Sequence, residues 1–339
     1  MRRVIRRMCS VAVEPIARGW LKGIVLSTVA AAAAYLATVL WVGRLDVSAA
    51  VSLVSVDTLL GLLALSMMNY GLRFLRWHYY LRTLGASIPL GHDLRVYIAG
   101  FALTATPGKA GEMARSLWLR PYGVSATFSL AAFLAERLQD FLAILLLSSL
   151  GVSLYGGVDW LLSMSLGLVA LAAGILYVPL ITRWALALAG GRRKRLGALV
   201  SRLSEILALT KTCLTPRRFA LGLLIGLCAW SAEAFGFFLL MQALGNPLRL
   251  LSAISIYALS MLAGALSFMP GGLGGSEASM IVLLRILSVP LPMAVSATLL
   301  IRLATLWFAV LLGILALLIR AKIPTMTTAS TAATQPDSV

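Results

Sequence analysis

Ionisable side chains lie inside otherwise apolar stretches of this sequence, where a charge is expensive. Glu136, Arg137 and Asp140 share one such stretch, and Glu233 and Arg302 lie in two others. A charge at the bilayer centre costs about 2.5–3.5 kcal/mol on insertion scales, so such residues usually face a partner or a wet cavity. Arginine binds phosphate in a bidentate way and keeps its charge when desolvated. These residues are candidates for binding an anionic group, and ion pairs that only hold helices together are the alternative.

Two further glutamates each follow a break in an apolar stretch. Glu112 comes after a proline-glycine pair at 107–108, and Glu277 comes after another at 270–271. Because proline lacks a backbone donor and glycine destabilises a helix, each break predicts a tight tip between two helical arms. A carboxylate near a helix N-terminus is favoured by the dipole, so capping and substrate binding are both open roles. The glycine-rich segment 271–275 could also present backbone N–H groups to an anion.

The two breaks belong to a pattern that occurs twice along the chain. An arginine followed by leucine lies 25 residues after each glutamate. A leucine-glycine pair precedes each break, and twelve residues before its glycine lies Arg73 in one case and Glu233 in the other. Chance matching in an alanine- and leucine-rich chain is the alternative to an internal repeat. If the repeat is real and each half has three crossings, the second half must be inverted, as in many secondary transporters.

Composition indicates a membrane protein. Of 339 residues, 60% are hydrophobic and only 12% are charged, whereas soluble domains carry roughly 25% charged residues. The net charge of +17 lies in short blocks between apolar runs, which favours a cytoplasmic membrane surface over nucleic acid. Three distant cysteines and two histidines predict no disulfide framework, metal site or cofactor. Because no nucleotide loop, HExxH or GxSxG motif is present, we expect no enzymatic activity.

Apolar runs of about 20 residues predict the crossings. The N-terminal tail and the segment 183–218 are strongly basic, whereas the alternate loops carry almost no positive charge. Positive loops stay inside, so we expect an inner-membrane protein with both termini cytoplasmic and an amphipathic surface helix within 183–218. The predicted crossings are 23–43, 53–75, 125–150, 160–182, 217–242 and 294–319, with re-entrant hairpins at 92–122 and 250–289.

The predicted fold is an all-α polytopic membrane protein with six transmembrane helices plus two re-entrant helical hairpins in an inverted 3+3 repeat. Its regions are a basic cytoplasmic N-terminus (1–22), a first repeat (23–155), a second repeat (156–320) and a disordered cytoplasmic tail (321–339). The candidate substrate-binding residues are Arg73, Arg76, Lys109, Glu112, Glu136, Arg137, Asp140, Glu233, Glu277 and Arg302. The candidate tip residues are Pro107, Gly108, Pro270, Gly271 and Gly272.

Four motifs together resemble the lysylphosphatidylglycerol synthase transmembrane family, the flippase-like portion of the multiple peptide resistance factor. They lie at 69–77 (NYGLRFLRW), 107–112 (PGKAGE), 136–140 (ERLQD) and 270–277 (PGGLGGSE), and the resemblance covers about residues 20–320. The resemblance implies lipid translocation, because the best-known members move aminoacylated phosphatidylglycerol. Others are associated with glycolipid, polyprenyl-linked sugar or hopanoid pathways. The sequence shows no aminoacyltransferase domain, so we expect a stand-alone member whose lipid is not thereby specified.

The favoured function is therefore a flippase that moves a phosphate-bearing lipid or glycolipid between leaflets. Arg137 and Arg302 would hold the phosphate, while Glu112 and Glu277 would balance these arginines or accept a cationic group. A small-solute secondary transporter of the same architecture is one alternative. A non-transporting subunit of a lipid-modifying or glycosyltransferase system is the other. The expected partners are a membrane lipid and a separately encoded lipid-modifying enzyme, with no nucleic acid; the sequence is also compatible with an oligomer.

Overall fold

The computed structural model describes the helices that carry the candidate site. It covers residues 52–104, 106, 112–150, 167, 194–267 and 269–319. The N-terminal region 1–22, the predicted crossings 23–43 and 160–182, and the tail 321–339 lie outside the described residues, as do Pro107, Gly108 and Lys109. The described part consists of helices and turns and contains no strand, which confirms the all-α class.

The described helices lie in two stretches of the chain, 56–149 and 194–318. They are α1 (Val56–Thr83), α2 (Leu90–Phe101), α3 (Arg115–Trp118), α4 (Ala126–Ser149), α5 (Lys194–Cys213), α6 (Pro216–Ala243), α7 (Leu250–Leu266), α8 (Gly275–Ile286), α9 (Leu291–Arg302) and α10 (Phe308–Leu318). Two 3-10 turns, Arg120–Tyr122 and Pro270–Gly272, and one π-helical turn, Leu303–Trp307, complete the set. The π turn joins α9 to α10 without a break, so that 291–318 is one continuous helix.

The first long helix of each described half has the same length and the same ending. Both α1 and α6 contain 28 residues. Each is followed by the leucine-glycine pair found in the sequence, and Gly85 and Gly245 adopt left-handed backbone angles (φ 88° and 70°) that a residue with a Cβ rarely tolerates. The pair therefore ends the helix and turns the chain into the next arm.

Three helices are long and apolar enough to cross a membrane by length and composition: α1, α6 and the continuous helix 291–318. Helix α4 has 24 residues, but Glu136, Arg137 and Asp140 lie within it and lower its mean hydropathy. The predicted crossings 53–75, 125–150, 217–242 and 294–319 all coincide with helices. These observations confirm a polytopic membrane protein.

The two predicted hairpins differ in their second arms. In 250–289, α7 and α8 are two full helical arms joined by a 3-10 turn, in which Gly271 has a φ of 64°. In 92–122, α2 is a full arm, but the return consists of the four-residue α3 and a 3-10 turn. Pro121 disfavours a helical conformation in the residue before it, and Gly123, with a φ of 79°, ends the turn. The predicted tip of the first hairpin and the start of its second arm, 107–111, lie outside the described residues.

The centre of the described structure is the crossing of α1 with α6. Asn69 donates its amide N–H to the carbonyl oxygen of Ala229 at 2.8 Å, and Arg76 donates to the carbonyl of Gly222 at 3.2 Å. On the other side of this point, Gly236 packs against the first half of α1. Later residues of α1 therefore contact earlier residues of α6, which shows that the two helices run antiparallel.

In two further contacts, a helix of one half packs on a helix of the other half. Helix α4, the last of the first half, packs on α7, which is the first arm of the second hairpin. Helix α10, the end of the second half, packs on α2, which is the first arm of the first hairpin. Helix α5, predicted as an amphipathic surface helix, packs on α4 and exposes Leu203 and Arg202 on its other side. These contacts between the halves bring Thr106, which follows the first arm of the first hairpin, close to the turn at Gly271.

Candidate functional site

A cavity of about 340 Å³ lies where the two halves meet. Helices α1, α4, α6 and α7, the π turn and the second tip all contribute to its wall. The segment after α2 approaches the second tip there: the backbone N of Gly271 lies 3.5 Å from the carbonyl oxygen of Thr106. The charged residues that line the cavity are Arg73, Glu112, Arg137, Asp140, Glu233 and Arg302.

Seven charged residues form a network on the first-half side of the cavity, here called the first-half cluster: Arg73, Arg76, Glu112, Arg115, Glu136, Arg137 and Asp140. Asp140 is its centre, in contact with Arg76, with Arg73 at 3.3 Å and with Arg137 at 3.0 Å. Four arginines face three carboxylates, so the ionised cluster carries one excess positive charge. Alternating signs make a cluster of this size tolerable in a low-dielectric interior.

Three members of the first-half cluster do not line the cavity but lie behind it. Arg76 and Glu136 are fully buried, and Arg76 bridges Asp140, Glu136 and a carbonyl of α6. Arg115 is also fully buried, at 3.2 Å from Glu112 and 3.8 Å from Glu136. Its guanidinium stacks on the ring of Tyr97 at 4.0 Å from the ring centroid. Their surroundings indicate a structural role, which is to hold the cavity-lining carboxylates Glu112 and Asp140 in place.

Arg73 and Arg137 line the cavity and retain hydrogen-bonding capacity. The Nη2 atoms of both arginines lie within 4.0 Å of carboxylate oxygens, yet neither atom makes a hydrogen bond to the described residues. A buried N–H without an acceptor is unfavourable and needs an explanation, such as a water, an ion or a ligand. These nitrogens are therefore donors that an anionic group entering the cavity can use.

The second-half side of the cavity has a different arrangement, here called the tip latch: Arg302, Glu277, Gly271 and Gly274. The Nε of Arg302 lies 2.6 Å from a carboxylate oxygen of Glu277, and its Nη2 donates to the carbonyl of Gly271 at 3.0 Å. The other oxygen of Glu277 accepts the backbone N–H of Gly274 at 2.6 Å. Glu277 thus caps α8, as one sequence alternative predicted, and lies outside the cavity lining.

The 25-residue spacing in the sequence produces a glutamate–arginine ion pair in both halves. Glu112 lies 3.9 Å from Arg137, and Glu277 lies 2.6 Å from Arg302. The charged position at the start of the pattern differs between halves. Arg73 joins the first-half cluster, whereas Glu233 accepts a hydrogen bond of 2.7 Å from the hydroxyl of Tyr257.

Most of the predicted binding residues converge, but not all of them face the cavity. The lining contains six of the ten, together with the tip residues Gly271 and Gly272. Arg76, Glu136 and Glu277 lie behind it, Pro270 begins the second 3-10 turn, and Lys109 lies outside the described residues. The sequence reasoning missed Arg115, Tyr97, Trp230 and Tyr257. Tyr97 and Tyr257 each lie twelve residues after the glycine of a leucine-glycine pair, a signal that extending the repeat would have found.

No group of three or more histidine, cysteine or acidic residues in the described part of the chain is arranged to hold a metal ion. The chemistry available at the cavity is therefore that of guanidinium, carboxylate, hydroxyl and aromatic groups. Such a set can bind and orient a charged molecule by hydrogen bonds and ion pairs.

Comparison with known proteins gives the chain a family context. The model of the family described as "Lysylphosphatidylglycerol synthase TM region" matches residues 20–313. A "UPF0104 membrane protein" of Methanothermobacter thermautotrophicus is 25% identical over 268 residues, which cover 72% of this chain and 79% of that protein. Another UPF0104 membrane protein of the same organism is 33% identical over 90 residues, or 26% of this chain and 27% of that protein.

Proposed function

This chain belongs to the lysylphosphatidylglycerol synthase transmembrane family, and from that premise we propose that it is a lipid flippase. It moves a phosphate-bearing lipid or glycolipid between the leaflets of the inner membrane. The polar headgroup crosses through the cavity, and the acyl chains remain in the bilayer. The reaction involves no covalent change in the lipid and requires no cofactor.

One observation carries this proposal. Arg73 and Arg137 line a cavity enclosed by membrane-type helices, and each has a buried guanidinium nitrogen that makes no hydrogen bond to the part of the chain that the structure describes. Phosphate oxygens are the preferred partners of such nitrogens, because two parallel charge-assisted bonds match the planar guanidinium. Three arginines and three carboxylates line the cavity, so a phosphate that binds Arg73 and Arg137 replaces part of their interaction with Glu112 and Asp140. Arg302 also lines the cavity, where the tip latch pairs it with Glu277.

The same proposal includes the six-crossing, inverted 3+3 arrangement. The antiparallel crossing of α1 with α6 supports it, because these helices begin equivalent stretches of the two halves. Reciprocal contacts around Asn69 and Ala229 are those expected near a twofold axis perpendicular to both helices. With helices that cross a bilayer, such an axis lies in the membrane plane, as it does in transporters with inverted repeats. The two hairpins then enter from opposite sides and meet at the cavity.

The carboxylates have two roles in the proposed cycle. Glu112 and Asp140 share the arginines while the cavity is empty, and they release part of that interaction when a phosphate arrives. Because the charges are exchanged rather than created, the cost of moving a headgroup through the apolar core is reduced. Rocking of the halves about the crossing of α1 with α6 would expose the cavity to either leaflet. Both termini are placed in the cytoplasm, near a separately encoded enzyme that makes the lipid.

Reconstitution into lipid vesicles tests this function. Purified full-length protein is incorporated into liposomes that contain a trace of fluorescent phospholipid or of a fluorescent polyprenyl phosphate. A membrane-impermeant quencher then reports how fast the label moves between leaflets. We expect acceleration over protein-free vesicles with at least one of these lipids. Proton- or sodium-driven uptake of a soluble solute without lipid movement would favour the secondary transporter instead. Absence of both activities, with loss of a lipid-modifying enzyme's output on deletion, would favour the scaffold.

A further inference from the structure

The base of the first hairpin contains a buried acid that the cavity does not use. Asp93 lies in the first turn of α2 and is fully buried. Two consecutive side chains of α1 hold its carboxylate. The indole N–H of Trp77 donates to Oδ1 at 3.0 Å, and Nδ1 of His78 lies 2.6 Å from Oδ2. One carboxylate therefore joins α1 to α2 at the end of the hairpin remote from its tip.

The charge on His78 decides the strength of this junction. Within the described residues, no lysine or arginine nitrogen lies within 4.0 Å of Asp93. The side chain of His78 is 16% exposed, whereas that of Asp93 is fully buried. Protonation of the imidazole converts a hydrogen bond with one charged partner, the carboxylate, into an ion pair in which both partners are charged. Deprotonation leaves a buried carboxylate with neutral donors only.

Other titratable groups are present on the elements that pack around the pair. Arg115 of α3 lies over the ring of Trp77, with its Cζ 5.4 Å from the ring centroid. Helix α10, which packs on α2, carries no ionisable side chain. Further titratable groups on these elements include Arg82, Tyr79 and Tyr80 on α1, His92, Arg95 and Tyr97 on α2, Tyr122 after α3, Glu205, Lys211 and Cys213 on α5, Arg217 and Arg218 at the start of α6, and the first-half cluster with Glu233.

At the positions that correspond to this clamp, the second half has apolar residues. Aligned on Gly85 and Gly245, Trp77 and His78 correspond to Phe237 and Phe238, and Asp93 corresponds to Ala253. Phe237 and Ala253 are fully buried, so an apolar junction between a long helix and its hairpin packs well in this fold. Because a buried ion pair is often no more stable than an apolar replacement, packing alone does not account for the histidine and the acid in the first half.

We propose that His78 and Asp93 form a proton-binding clamp that sets how tightly the first hairpin is fixed to α1. At low pH, His78 is charged and the clamp is closed. As the pH rises and His78 loses its proton, the clamp weakens, and α2 moves more freely against α1. The far end of α2 leads to Phe101 and Thr104 in the cavity wall, so the clamp acts on the wall without lying in it.

Hydrogen exchange measured by mass spectrometry tests the clamp without any need for transport activity. The full-length protein is compared at about pH 5.5 and about pH 8, on either side of the ordinary histidine range, with each rate normalised to the intrinsic chemical rate. We expect amide protection in α2 to be about tenfold higher at the lower pH, a change that corresponds to about 1.4 kcal/mol of added stability in the closed clamp. The difference should vanish in His78→Gln and in Asp93→Asn.

The second histidine of the chain supplies a matched control. His92 lies one residue before Asp93 and stacks on Tyr122, and His92→Gln should retain the pH difference. If a single variant fails to fold, the triple change Trp77→Phe, His78→Phe and Asp93→Ala copies the junction of the second half and should give pH-independent protection. A pH difference that persists in the triple variant or in His78→Gln, or one that disappears in His92→Gln, would overturn the proposal.

The consequence for lipid movement depends on the proposed flippase function. If that function is correct, transport should be slower at low cytoplasmic pH, and His78→Gln should remove this dependence. If His78→Gln loses the pH dependence of hydrogen exchange but moves lipid as fast as wild type at every pH, the flippase function stands and the clamp has no regulatory role. If the wild-type protein shows pH-dependent hydrogen exchange but moves no lipid, the clamp stands and the flippase function is wrong.

Discussion

Each half of the protein brings a glutamate and an arginine together over the same 25-residue spacing, but the surroundings of the two pairs differ. In the first half, Arg137 lies among three other arginines and three carboxylates, with donor atoms that have no acceptor. In the second half, Arg302 is committed to Glu277 and to a tip carbonyl. The contrast separates two tasks. The first-half cluster offers charge to a ligand, while the tip latch fixes the shape of a glycine-rich turn.

The sequence accounts for this difference. Aligned on Arg137 and Arg302, Glu136 corresponds to Ile301 and Asp140 to Thr305. The second half therefore lacks the carboxylates that would draw further arginines around its pair. Arg302 has Glu277 and backbone carbonyls as its main acceptors, and the short tip brings both within reach. The two halves repeat the same arrangement of helices but carry different charged residues, so the two sides of the cavity differ.

Replacing Arg76 with methionine should have the largest effect on stability. Arg76 is fully buried and compensates Asp140 and Glu136, so its loss leaves uncompensated buried charge. We expect the free energy of unfolding to fall by about 3–5 kcal/mol. Denaturant unfolding in detergent, followed by tryptophan fluorescence, would measure it. The exposed Arg82 on the same helix is the control, and Arg82→Met should change stability by less than about 0.5 kcal/mol. Equal effects of the two changes would contradict the structural role given to Arg76.

The packing of α10 on α2, which is a contact between the two halves, can be tested at Gly313 of α10. A Cβ at this position would lie 2.1 Å from the backbone nitrogen of Ala102, which cannot move aside as a side chain could. Gly313→Ala should therefore destabilise the protein by about 1–3 kcal/mol or more through overpacking. The aligned position in the first half is Ser148 of α4, where a Cβ is already present, and Ser148→Ala should have a smaller effect. Melting temperatures in detergent measure both, and a larger loss for Ser148→Ala would contradict the close approach of α10 to α2.

A smaller and more local effect is expected at the tip latch. Glu277→Gln removes the negative charge that pairs with Arg302 and caps α8. Replacing a charge-assisted bond with a neutral one should weaken the latch by roughly 1–2 kcal/mol. Hydrogen exchange of residues 269–279 should become faster, while exchange in α2 stays unchanged. Glu112→Gln is the comparison from the other half. If hydrogen exchange at the second tip becomes faster in Glu112→Gln but not in Glu277→Gln, then Glu277 is not the residue that fixes this tip.

Much of this arrangement could be predicted from the sequence because apolar runs and helix-breaking residues act locally. The helices at the four predicted crossings within the described residues and the two arms around Gly271 follow from hydropathy and from proline and glycine. The repeated spacing also marked the glutamate and the arginine that form an ion pair in each half. Side-chain direction could not be derived in the same way. Glu136 and Asp140 share a face of α4, yet only Asp140 lines the cavity, since that outcome depends on how α4 packs against α6 and α7. Arg115 escaped notice because it has no place in the repeated spacing, although its partner Glu112 lies only three residues before it.

The most direct test of the central claim is the rate of leaflet exchange for Arg137→Gln in reconstituted vesicles. A lost charge-assisted contact to phosphate is expected to cost roughly 1.5–3 kcal/mol, so the rate should fall about tenfold or more. Arg285→Gln is the matched control, because Arg285 lies outside the cavity lining and donates to the carbonyl of Val289 at 3.0 Å; its rate should match wild type. A correctly folded Arg137→Gln protein that moves phosphate-bearing lipid at the wild-type rate would contradict the account.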